Sequence, residues 1–243
     1  TGIRNNTSNI PRSQTFEDMY ENFVINQNSY QDNRDFQQPS ILYIMEDYIS
    51  LIETLVDWRE KQGYAVEVID RDDINGSFNT GNIKDYIEDA LDDWENPPEF
   101  VCLVGDANGS LAIPAYSVGG GSGWNSVYAE SDYPYTLLEG NDNLPEMLIG
   151  RISVRSSSEL ATVINKIIGY EKNYNGQLGG NDDWLSAAAL VGDPYDSGIS
   201  TVISNQYIEE IMNIHGGITD IRTKYSGTNF DGFMRNQIDD GVA

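Results

Sequence analysis

Cys102 and His215 are the only thiol and the only imidazole in a chain of 243 residues. A thiolate nucleophile needs a partly exposed site beside a positive or basic group. Cys102 lies in Phe100, Val101, Cys102, Leu103, Val104, the pattern of a buried strand, and reads as core. His215 precedes Gly216 and Gly217 at the end of a helix-like stretch, where an imidazole interacts with the helix dipole. Neither is assigned a catalytic role, so no catalytic residue is named in this chain. One cysteine excludes an internal disulfide and a cysteine metal cluster, and one histidine excludes a multi-histidine zinc site.

Oxygen ligands are abundant. The chain has 39 Asp plus Glu against 14 Lys plus Arg, a formal net charge of −25. Most such acids form a solvated surface. Two places stand out: Asp106, just past the apolar run 100–104, and the turn 139–146, Glu-Gly-Asn-Asp-Asn-Leu-Pro-Glu. A turn of this kind can aim Asp142, Glu146 and one or two backbone carbonyls at one point, and Ca²⁺ takes roughly six to eight oxygens at about 2.3–2.6 Å.

The same charge balance repels phosphate backbones and anionic lipid headgroups, which argues against nucleic acid as a partner. No apolar run approaches the ~20 residues of a spanning helix, so membrane insertion is not expected.

Periodicity predicts the elements that position these groups. Residues 1–38, rich in Asn, Gln, Ser and Asp, read as an extended lead-in. Short apolar runs at 41–45, 65–69, 100–104 and 147–149 read as strands buried on both faces. Between them, Leu51 to Arg59 and Ile83 to Trp94 repeat at helical spacing, ended by Gly63 and by Pro97 and Pro98. Alternation of this kind predicts a parallel sheet flanked by helices, the α/β class. Residues 107–135 interrupt it with a Gly-rich tip at 119–123 that no helix follows, so they form no phosphate-binding loop. Ser156 and Glu159 form a capping box at the head of a long helix. A Gly- and Asn-rich stretch then reads as a linker at 177–182, after which strand and helix alternate again to 243.

Several segments together resemble the gingipain-type family of cysteine peptidases, whose catalytic domain is caspase-like. They are Leu55 to Gly63; Val101 to Asp106 with Ile113 and Pro114; Ser131, Asp132 and Tyr135; Gly140, Asn141, Asp142 and Glu146; Ile149, Gly150 and Arg151; and the helix 159–171. The resemblance runs from about Ile41 to the end. It implies a caspase-like α/β fold with a complete first subdomain at 39–176 and a second, catalytic subdomain that begins at 183 and is incomplete at 243. It also implies a structural Ca²⁺ held by the carboxylates of Asp106, Asp142 and Glu146 and the carbonyls of Glu139 and Leu144.

The resemblance further implies a secreted or surface endopeptidase whose Cys/His dyad lies beyond residue 243. Its partners are a protein or peptide substrate and the remaining C-terminal part of its own polypeptide, and this chain alone is expected to be inactive. Where the family carries an acidic residue selecting Arg or Lys, this sequence aligns Ser200 or Thr201, with Asp193 and Asp196 shortly before, so Ser200 and Thr201 are the candidate substrate contacts. The rival expectation is a non-catalytic, calcium-stabilised scaffold or interaction module of the same ancestry.

Overall fold

A computed structural model describes residues 11–23, 35–120, 127–172, 183–196 and 198–241. The chain divides into two compact units, Thr1–Ile168 and Gly169–Ala243. The predicted linker at 177–182 lies outside the described residues.

In the first unit, β1 (Ser40–Met45), β2 (Ala65–Ile69), β3 (Phe100–Val104) and β6 (Leu148–Ile152) form one parallel sheet in the order β2-β1-β3-β6. Helices α2 (Glu53–Lys61), α3 (Thr80–Asp93) and α4 (Ser157–Lys172) connect or follow the strands. Because both faces of the sheet are covered, β1 is buried throughout, and its side chains alternate between two cores. Leu42 and Ile44 join Ile83, Ile87 and Leu91 of α3, while Tyr43 and Met45 join Leu55 of α2 and Leu160 and Ile164 of α4.

Local chemistry starts the helices. The Asn79 side chain accepts from Asn82 N at the head of α3, and Ser156 Oγ accepts from Glu159 N at the head of α4, half of the predicted capping box.

Two findings depart from the sequence reading. The lead-in contains a helix, α1 (Gln14–Phe23), begun by Ser13 Oγ accepting from Phe16 N. It is tied down as well: Arg12 bridges Phe36, and Gln37 Nε2 donates to Pro97 O at 2.9 Å. Polar composition hid these long-range bonds. Second, the irregular stretch 107–135 contains an antiparallel hairpin, β4 (Tyr116–Gly120) with β5 (Val127–Ser131). The predicted glycine-rich tip overlaps 121–126, which lie outside the described residues.

The second unit pairs β7 (Ala187–Val191) with β8 (Asp220–Lys224) in parallel and carries α5 (Ile199–His215) and α6 (Phe230–Asp240).

Candidate functional site

The loop 105–115 leaves the carboxyl end of β3 and is held from below by a single arginine. Arg151, on β6, is 13% exposed in its side chain and uses its whole guanidinium fork. It donates to both carboxylate oxygens of Asp132 at 2.8 and 2.7 Å, and to the carbonyls of Gly105, Ile113 and Pro114 at 2.8, 3.0 and 3.2 Å. Tyr135 adds a bond from its hydroxyl to Pro114 O at 2.8 Å, and burial pushes its phenol pKa up. Gly105 is required here, because a Cβ would stand 1.8 Å from Leu111 O.

The family-like residues Gly105, Pro114, Asp132, Tyr135 and Arg151 are therefore one hydrogen-bonded clamp that fixes the loop. The clamp is the site feature that pattern reading missed. Its signal was an arginine inside an apolar strand, which demands a partner when buried.

Asp106 stands at the head of this loop. Its carboxylate accepts from Arg155 Nε at 3.0 Å, Ser153 Oγ at 3.3 Å and Asn108 N at 3.3 Å. The Arg155 hydrogen bond holds the Asp106 carboxyl below the usual carboxylate range.

The turn 139–146 is a separate assembly. Glu146 Oε2 accepts from Leu138 N at 2.8 Å and Glu139 N at 3.2 Å, folding the turn closed, and Asp142 Oδ1 accepts from Leu144 N at 2.9 Å. Tyr133 donates its hydroxyl to Asn143 O, and Leu144 is 67% exposed.

The fold does not bring the five expected calcium ligands together. Register pairs Phe100 with Leu148 and Val104 with Ile152, and Asp106 N donates to Val154 O. Asp106 thus lies beside Val154 at the carboxyl end of β6, whereas Glu146 precedes the amino end of the same strand. The stretch from Leu148 to Val154 spans roughly 20 Å at the strand rise of about 3.3 Å per residue, far beyond the reach of one ion. Among the described residues no group of three or more His, Cys, Asp or Glu side chains is gathered as a metal site. A single Ca²⁺ shared by Asp106 and the turn therefore does not fit this chain: parallel pairing puts its two halves at opposite ends of one strand.

Cys102 sits in the middle of β3, opposite Gly150 of β6. The residue is part-exposed, yet burial around the thiol pushes its pKa up to about 12, against smaller opposing effects of the Ile152 backbone hydrogen bond and of Arg59 and Arg151. Such a thiol stays protonated and is no nucleophile at neutral pH. His215 is an exposed last-turn residue of α5, as its sequence position predicts.

Ser200 and Thr201 fall in the first turn of α5, Ser200 exposed and Thr201 half-buried with its N–H bonded to Gly198 O. Just before them, Asp193 Oδ1 accepts from Tyr195 N at 2.8 Å and Asp196 N at 3.3 Å, closing a local turn.

The family model described as Peptidase family C25 matches residues 34–242. Gingipain R2 of Porphyromonas gingivalis (strain W83) is 28% identical over 222 residues, which cover 87% of this chain and 28% of that protein. Lys-gingipain of P. gingivalis (strain ATCC 33277) is 26% identical over 163 residues, 65% of this chain and 9% of that protein. The crystal structure of the Arg-specific cysteine proteinase gingipain R superimposes with a TM-score of 0.65 at 25% identity, covering 88% of this chain and 47% of that one. The complex of P. gingivalis RgpB pro- and mature domains gives 0.65 at 26% identity, covering 84% and 46%. The chain thus spans less than half the length of these relatives, and the caspase-like α/β fold expected from its sequence is the fold it shares with them. With the match running through the clamp loop, the turn and the second unit alike, the chain belongs to peptidase family C25.

Proposed function

We propose that this chain forms the first subdomain and the opening elements of the second in the catalytic domain of a secreted or cell-surface cysteine endopeptidase. Peptide hydrolysis in such a domain uses a thiolate that attacks the scissile carbonyl, an imidazole that moves the proton, and backbone N–H groups that hold the oxyanion. Nucleophile and base are proposed to lie outside these 243 residues. The observation that carries the proposal is the Cys102 thiol: the one cysteine present lies within the first sheet and keeps its proton, while the family match covers nearly the whole chain.

The part of this chain proposed to meet the substrate is the first turn of α5, with Ser200 and Thr201, preceded by the Asp193 turn. Its other partner is the remainder of its own polypeptide. The 243-residue chain is expected to release no product from peptide substrates under reducing conditions, and the chain with its natural continuation is expected to hydrolyse them. Thiol-dependent cleavage by the chain alone, abolished by Cys102→Ala, would overturn the proposal. Inactivity of both would favour the non-catalytic scaffold reading.

For calcium, only the turn residues Glu139, Asp142, Leu144 and Glu146 are proposed to act together, because they share one closed loop. Asp106 is proposed to serve Arg155 instead. A cation bound by the folded state raises its melting temperature. Calcium should therefore raise the Tm of the parent and of Asp106→Asn equally and leave Asp142→Ala unmoved. An unresponsive parent would remove calcium from the proposal.

A further inference from the structure

Tyr43, Cys102 and Gly150 stand in one row across the sheet, because register pairs Tyr43 with Cys102 and Cys102 with Gly150. Two residues nearer the amino ends, Ile41, Phe100 and Leu148 form the next row on the same face. On the carboxyl half of this face Met45 and Val104 are wholly buried in the core that Leu55 of α2 and Leu160 of α4 close. Toward β6 the amino half is open: Phe100, Cys102 and Leu148 are half-buried, and Gly150 is exposed. The two rows form the floor of a cavity of about 400 Å³. A Cβ built on Gly150 would meet no atom within 4 Å, so the missing side chain is part of the opening.

The walls are aromatic. Tyr64, which follows α2, stands edge-on to Phe100, with ring centres 6.2 Å apart and planes at 74°. A further ring can join such a pair in the same edge-to-face manner. Burial keeps the Cys102 thiol protonated, so the floor carries no charge.

One edge is cationic. Arg59 is the one charged residue among the described lining residues. It follows the buried Leu55 by four positions on α2, which lays its stem along the sheet-facing side of that helix. Its positive charge acts on the Cys102 thiol, and Nη1 donates to Gln62 Oε1 at 2.7 Å, one bond of a fork that carries five N–H groups. In a protein of net charge −25, a cationic edge on an apolar cavity is a place where an anion is favoured. Ligand pockets of roughly 300–1,000 Å³ combine apolar walls with a few polar groups that fix orientation. At the small end of that range, this cavity suits a single ring on a short chain.

We infer that this cavity binds a small aromatic carboxylate, its ring over Cys102 and Gly150 against Tyr64 and Phe100, and its carboxylate on Arg59. The site lies toward the amino ends of the strands, away from the loop 105–115 at their carboxyl ends. It stands on the geometry of the first unit alone, whatever reaction the whole protein performs.

The test is a ¹⁵N–¹H NMR titration of the folded chain with 4-phenylbutyrate, with 4-phenylbutanol and butyrate as controls. The aromatic acid should give saturable shifts centred on Tyr64, Cys102 and residues 148–150, the alcohol weaker ones at the same residues, and butyrate none. Gly150→Leu places a side chain in the opening without touching a neighbour; it should keep or raise the Tm and weaken 4-phenylbutyrate by about ten-fold or more. Arg59→Met keeps the stem and removes the charge, and should weaken the acid about three- to five-fold while leaving the alcohol as in the parent. Raising salt to about 0.5 M should act on the acid in the same direction. Absence of saturable shifts, shifts centred on the loop 105–115, or affinity unchanged in Gly150→Leu would overturn the inference. Butyrate binding as tightly as 4-phenylbutyrate would overturn the ring as the recognised group. An alcohol that binds as tightly as the acid, or an acid unaffected by Arg59→Met, would overturn the carboxylate. The same spectra report whether each variant is folded.

Discussion

The two units are written in the same strand-and-helix alternation and reach different degrees of burial. The first has a four-stranded parallel sheet with helices over both faces, and residues such as Leu42, Ile44, Ile83, Leu103 and Leu160 have no exposed surface. In the second, two strands pair, and its buried apolar residues among those described are Ala187, Ala188 and Val202. Helix α5 exposes Ile199, Ile203, Tyr207 and Ile214 at 58–65%, spaced along one side. Alternation alone does not make a core. A sheet face is buried only when a second layer lies on it, and a two-stranded sheet offers little to cover. Stability should therefore reside in the first unit.

The largest contrast should be chemical reactivity. Below the ordinary thiol value of 9.0, the raised Cys102 pKa of about 12 keeps the native thiol protonated, and the stability this contributes is lost only as pH rises from about 9 toward 12. At pH 8 the thiolate population, and with it disulfide-exchange labelling, should be about 10³-fold lower in the native chain than after unfolding. His215, exposed in the last turn of α5, should be modified by diethyl pyrocarbonate in the folded chain. Rapid native labelling of Cys102 would break the contrast.

Next in size is the clamp. Arg151→Ala leaves the Asp132 carboxylate and three carbonyls without their donor, and should cost about 3–5 kcal/mol in urea unfolding. Arg151→Lys keeps the charge without the fork and should recover only part of it. Core truncation sharpens the same point: Leu103→Ala should cost about 2–5 kcal/mol, Val202→Ala about 1 kcal/mol, and Ile203→Ser on the exposed side of α5 less than about 0.5 kcal/mol. Equal losses in the two units would refute the comparison.

The smallest effect belongs to the Asp106 pair. The Arg155 side chain is 64% exposed, so Arg155→Ala should lower stability least of these substitutions. Because the Asp106 pKa is lowered, that contribution is present above the ordinary carboxylate range and disappears as pH falls through the lowered value. An NMR titration of Asp106 should move back toward the ordinary value in the variant.

Strand positions were legible because they depend on neighbours in sequence. The runs at 41–45, 65–69 and 100–104 match β1, β2 and β3 to within a residue, and the helix starts follow their caps. The hairpin and α1 were not legible, since β4 and β5 are short and polar and the lead-in is held by a bridge of Arg12 to Phe36 within it and by a bond from Gln37 to Pro97 far along the chain. Of the site, the loop after β3 and the turn 139–146 were each marked by composition. Their grouping into one calcium centre was not a local matter, and neither was the clamp.

By itself, then, the sequence determined the strands of the parallel sheet and the helices between them, and placed Cys102 in the middle of one of those strands. Only the tertiary structure decided which of the marked residues meet. Parallel pairing of β3 with β6 sends Asp106 and Glu146 to opposite ends of one strand and brings Arg151 beneath Gly105, Ile113 and Pro114. Register is the reason: side-chain periodicity fixes what a segment becomes, but the alignment of two strands depends on packing across both faces of the sheet.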